Sequence, residues 1–143
     1  MSKVAVASRS FSKHPVLRSE LSARYPNAKF NDAGSSLQGE ELVAFLTGCE
    51  KAVLALETVN DALLSRLPAL KLVSKFGVGL DSFDLRATTA RGVKLAWTPG
   101  TNSRSVAELA LMSIIALLRR VPEASADLAA GKWSQPKGAT LTG

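Results

Sequence analysis

Leu70–Gly100, LKLVSKFGVGLDSFDLRATTARGVKLAWTPG, is the stretch whose reading decides the fold. Leu70–Lys75 is a short apolar run suited to a buried strand, and the turn Phe76-Gly77-Val78-Gly79 ends it. Asp81-Ser82-Phe83-Asp84 opens a helix with Asp81 as the expected cap, and Gly92 closes it. Val93–Ala96 is the next strand and runs into Trp97-Thr98-Pro99-Gly100. A strand, a helix and a strand joined this closely make a parallel pair with a right-handed crossover.

The same alternation extends upstream. Lys3–Ser8 reads as a strand, Arg9–His14 as a polar loop, and Pro15 to about Arg24 as a helix with proline in its first turn. Ala28–Asn31 is a weak strand, Gly39–Leu46 a helix with Gly48 just beyond it, and Lys51–Leu56 a buried strand. A short helix spans Thr58–Leu67, opening at Thr58 and stopped by Pro68. Downstream, Ser105 and Glu108 have the spacing of a capping box ahead of VAELALMSIIALLRR. That helix is expected to kink at Pro122 and continue to Gly131, with a loop after Trp133. Five strands alternating with helices predict an α/β domain, a parallel sheet with helices on both faces, plus a long C-terminal helix. The expected division is a sheet domain over 1–104, the helix over 105–133 and a linker over 134–143.

Composition removes several classes. A chain of 143 residues with 46% hydrophobic content can bury its own core. One cysteine and one histidine exclude an internal disulfide and a zinc cluster built from this chain alone. No segment reaches the ~20 continuous apolar residues of a membrane span. The net charge of +6 includes no basic run longer than Arg119-Arg120 and no basic-aromatic interleaving. An anionic small molecule is therefore the expected partner, with neither nucleic acid nor membrane, in a reducing, cytoplasmic setting.

Ligands of open parallel sheets sit beyond the carboxyl ends of the strands, here residues 9–14, 56–58, 76–81 and 97–104. Gly77 and Gly79 lack the third glycine of a dinucleotide fingerprint, because Ser82 holds its place. Two readings stay open: a strand-to-helix turn needing φ > 0 twice, or a bare backbone that admits a carboxylate or phosphate. The first loop lacks the Thr/Gly density of a flavin site and the acidic pair of a receiver domain. His14 reads as solvated, Cys49 as a small buried hydrophobe and Glu108 as a capping residue. No catalytic or metal-ligating set assembles from these residues.

Residues 70–133 as a whole resemble the D-isomer-specific 2-hydroxyacid dehydrogenases, the group with phosphoglycerate, glyoxylate/hydroxypyruvate and formate dehydrogenases. The resemblance rests on G-V-G-x-D-x-x-D, T-P-G-x-N-S, S-V-A-E-L-A-L and A-G-K-W, in order and at the family's spacing. It implies a flavodoxin-like substrate domain, with residues 1–69 as its more variable first half. It implies that the backbone at Val78 and Gly79 binds the substrate carboxylate, and that Val78, Asn102 and Val106 approach the cofactor, NAD or NADP in the full-length family. The family's catalytic Arg, Glu and His have no counterpart here, and Gly143 falls where the family runs on into its NAD-binding domain. The resemblance thus implies a truncated enzyme that is inactive and binds no cofactor alone, associating as a dimer or higher homo-oligomer through the 105–131 helix. A free-standing flavodoxin-like module that binds a small carboxylate or phosphate without catalysis is the alternative, and a purely structural fragment is a third reading.

Overall fold

The computed structural model describes residues 2–142. The chain forms two compact units, Met1–Pro99 and Gly100–Gly143. The first contains β1 (Val4–Val6), α1 (Arg9–Lys13), α2 (Pro15–Arg24), β2 (Lys29–Phe30), α3 (Gly39–Leu46), β3 (Lys51–Leu54), α4 (Asp61–Leu64), β4 (Leu72–Lys75), α5 (Leu85–Ala90) and β5 (Lys94–Ala96). The second contains α6 (Ser103–Leu118) and α7 (Val121–Ala129).

All strands are parallel, in the order β2-β1-β3-β4-β5. The register aligns Ala5 with Ala52, Ala52 with Val73 and Val73 with Leu95 in one row across the sheet. Side chains alternate faces along a strand, so this row and Ala7 and Leu54 share a face. Small alanines there leave room for Leu42 and Leu46 of α3 and Leu63 and Leu64 of α4, and these residues form the main core. Each fully buried leucine contributes about 1.5–3 kcal/mol of transfer free energy. On the opposite face Val4, Val53 and Leu72 line a cavity of 250 Å³ with Phe11, Leu21 and Tyr25. Lys51 Nζ donates to the Tyr25 hydroxyl at 3.0 Å, and this hydrogen bond lowers the phenol's pKa.

The five-stranded α/β reading holds, and several local expectations are corrected. Arg9–Lys13 is a helix rather than a loop, because buried Ser8 caps it, its Oγ accepting from Phe11 N at 3.3 Å. The fourth helix is capped by Asn60 rather than opening at Thr58, with Asn60 Oδ1 accepting from Leu63 N at 2.9 Å. The fifth is capped by Asp84 rather than Asp81, with Oδ1 accepting from Arg86 N and Ala87 N, both at 3.0 Å. The helices contain no capping box at Ser105: Ser105 Oγ donates to Asn102 O at 2.9 Å and Glu108 pairs with Arg104 at 3.2 Å. The long helix is two helices. Arg120 adopts a left-handed conformation, φ 54°, that ends α6, and Pro122 lies in the first turn of α7 instead of inside a helix. In the same unit, Ala139 N donates to Leu118 O at 2.9 Å, and a Cβ on Gly138 would collide with that carbonyl.

Candidate functional site

The loop after β4 is held at both ends. Phe76 N donates to Leu54 O at 2.7 Å, and Phe76 meets Phe11 edge-on, ring centroids 5.3 Å apart. At the far end, Val59 and Phe83 form a parallel bridge in which Val59 N donates to Ser82 O and Asp84 N to Val59 O, each at 2.8 Å. Between these anchors Gly77 has φ +137°, which side chains rarely tolerate, whereas Gly79 has an ordinary φ. The turn therefore needs glycine's conformational freedom once rather than twice. At Gly79 a Cβ would stand 3.0 Å from Oδ2 of the exposed Asp81, a close contact with a side chain.

The turn lines a 230 Å³ cavity together with Ala55, Leu56, Lys75 and Asp81. Val78 is half-buried, Gly79 is exposed, and both line the cavity. Among the described residues no carbonyl accepts from the backbone N–H of Gly77, Val78 or Gly79. The Val78 carbonyl is engaged, accepting from Trp97 Nε1 at 3.0 Å. The Lys75 ammonium donates to the Ala55 carbonyl and lies 4.9 Å from the centre of the Phe83 ring. Trp97 and Lys75 were not singled out from sequence; their positions at the carboxyl ends of β5 and β4 are the only signal they carry.

A second cavity, of 310 Å³, opens between the loops after β1 and β3, where the strand order reverses. Its lining includes Arg9, Ser10, Lys13, Gly34, Ser36 and Glu57, and it shares Ala55 and Leu56 with the first. Glu57 is 4% exposed, and its Oε2 accepts from Ala55 N at 2.5 Å.

The remaining candidates have other roles. His14 is exposed, as expected, and also caps α2, its Nδ1 accepting from Leu17 N at 3.4 Å. Cys49 is buried, and burial pushes its thiol pKa up. Asn102 and Val106 belong to the second unit, at the start of α6; both are exposed, and the Asn102 side chain makes no capping hydrogen bond. Among the described residues no group of three or more His, Cys, Asp or Glu could hold a metal ion. Among the described residues no helix is long and apolar enough to cross a membrane.

A parallel sheet in this strand order, with its open loops gathered at the carboxyl edge, defines a flavodoxin-like α/β domain. The chain belongs to the D-isomer specific 2-hydroxyacid dehydrogenase family, whose catalytic domain matches residues 4–142. It is 37% identical over 111 residues to D-3-phosphoglycerate dehydrogenase from Sus scrofa, covering 76% of this chain and 21% of that protein. It is 38% identical over 109 residues to glyoxylate/hydroxypyruvate reductase A from Arabidopsis thaliana, covering 66% of this chain and 34% of the relative. The chain thus spans between a fifth and a third of these relatives' lengths. The fold is shared with D-lactate dehydrogenase from Aquifex aeolicus, solved with NAD and lactic acid, at a TM-score of 0.76 and 20% identity, over 95% of this chain and 39% of that one.

Proposed function

We propose that the chain is the substrate-binding part of an NAD(P)-dependent enzyme interconverting small 2-oxo and 2-hydroxy acids, and that the N–H groups of Val78 and Gly79 bind the substrate carboxylate. The observation that carries this is the pair of unclaimed amides on a turn fixed at both ends. Consecutive N–H donors in such a turn form a concave anion seat, and preorganisation spares the ordering cost on binding. Lys75 adds a cation to the cavity lining, which Asp81 shares.

The nicotinamide cofactor supplies or accepts the hydride when bound. On this reading Val78, Asn102 and Val106 are the chain's own contacts to it, which suits the exposure of Asn102 and Val106 and an Asn102 amide not used for capping. On this reading the acid–base residue of the hydride step is not among the residues assigned to the site, and His14 serves the α2 cap. By itself the chain binds the acid without turning it over. The proposed setting is cytoplasmic, with Cys49 reduced, and the proposed assembly is a homo-oligomer through α6, without nucleic acid.

Calorimetric titration of the 143-residue chain with glyoxylate tests the seat. Millimolar binding that Gly79→Val abolishes is the expected result, because a β-branched side chain there would fill part of the cavity that Gly79 lines. Absence of heat, or binding indifferent to Gly79→Val, overturns it. NADH oxidation by the chain alone overturns the division of labour.

A further inference from the structure

The two cavities adjoin. Ala55 and Leu56 line both, so the carboxylate seat at Val78–Gly79 and the pocket at the β1/β3 switch point share a wall. A ligand spanning the two would pass over Ala55 and Leu56.

The second pocket is cationic by construction. Arg9 and Lys13 both line it, and among the described residues neither forms an ion pair or side-chain hydrogen bond. Elsewhere in the unit Arg18, Arg66 and Arg91 are each matched by a carboxylate. The pocket's own carboxylate, Glu57, accepts from Ala55 N and offsets one of the two cations, so the lining keeps a net positive charge. Ser10 and Ser36 add hydroxyl donors to the lining.

Lys13 lies against Gly34. Its Cε and Nζ lie where a Cβ on Gly34 would stand at 2.9 and 3.0 Å, and Gly34 has φ +66°. The Gly34 loop is pinned by Asn31, which is 3% exposed: its Nδ2 donates to Ala7 O and Ser35 O, both at 2.9 Å, and its Oδ1 accepts from Gly34 N at 3.1 Å. The end of the lysine side chain thus lies over the Gly34 backbone at the pocket wall.

We infer that the substrate is a 2-oxo or 2-hydroxy acid with a second anionic group, phosphate or carboxylate, and that Arg9 and Lys13 hold that group in the switch-point pocket. The inference rests on the carboxylate seat proposed above. It makes Arg9 and Lys13 specificity-determining residues, since a ligand lacking the second anion leaves both cations unused.

Titrations of the full chain compare glyoxylate with 2-oxoglutarate and phosphohydroxypyruvate. At least one of the two larger anions should bind about tenfold tighter than glyoxylate, and which one does tells carboxylate from phosphate. In Arg9→Ala/Lys13→Ala the advantage disappears. Equal affinities in the unaltered chain, or an advantage that survives in the double variant, overturn the inference. Inorganic phosphate, followed through the amide NMR signals of Ser10 and Ser36, separates failure of the subsite from failure of the seat. Should glyoxylate not bind, a phosphate-induced shift that is lost in the double variant keeps the subsite, and a shift that is absent or retained removes it. Circular dichroism of the double variant should match the unaltered chain, both residues being exposed.

Discussion

The indole N–H of Trp97 donates to the backbone carbonyl of Val78 at 3.0 Å, tying the residue after β5 to the turn after β4. With that carbonyl held by the indole, the Val78–Gly79 peptide has a fixed orientation, and its N–H direction is fixed with it. Trp97→Phe keeps the ring and removes the donor. A net hydrogen bond of about 1 kcal/mol predicts several-fold weaker glyoxylate binding with little change in melting temperature. Unchanged affinity by calorimetry would separate the indole from the seat.

Asn31 sits 3% exposed with its amide divided among Ala7, Ser35 and Gly34. Asn31→Ala leaves the buried Ala7 carbonyl without this donor and releases the 31–36 loop. Urea unfolding should show a loss of about 2–3 kcal/mol. A loss below about 0.5 kcal/mol would mean that another group satisfies these atoms.

Leu46 is fully buried against the alanine-rich face of the sheet. Leu46→Ala is expected to cost about 2–5 kcal/mol, the transfer term plus the cavity left behind. Denaturant midpoints of the two proteins measure it.

Two surface pairs contribute to the acid limb of stability. A hydrogen-bonded Arg66 holds the Glu40 carboxyl below its usual range, and Arg91 does the same for Asp61. A lowered carboxyl pKa contributes stability that is present above the unfolded value and is lost as pH falls through the folded one. The melting temperature should therefore hold from neutrality to about pH 5 and drop below it. In Glu40→Gln/Asp61→Asn the drop should be shallower, and salt should blunt the difference because both pairs are exposed. Identical acid limbs would refute this.

Helix α6 has no buried residue, and Leu109, Leu111, Met112 and Ile115 are all 43–61% exposed. An apolar surface of this extent favours association. Sedimentation at tens of micromolar is expected to show a dimer or larger species, shifted toward monomer by Leu111→Gln/Ile115→Gln. A monomer in the unaltered chain rejects the proposed assembly.

Elements with a strong internal pattern were legible in the sequence. Gly39–Leu46 is a helix at the residues its apolar spacing marks, and the five strands lie inside their apolar runs. The Val78-Gly79 turn was legible too, because glycines punctuate a chain wherever they occur. Helix starts were read less well. Asp81 and Asp84 are chemically equal caps, and the choice between them falls to the Val59–Phe83 bridge, which fixes where the chain turns. That bridge joins residues far apart in sequence, so no local window contains it.

What the sequence determined alone is the alternation of strands and helices, and with it the α/β class, because periodicity is a property of one element at a time. The strand order, the adjoining cavities and the meetings of Trp97 with Val78 and of Lys13 with Gly34 were decided only by the tertiary structure. Each requires two separate segments to be brought together by burying leucines beneath the sheet, and that burial is a property of the whole unit.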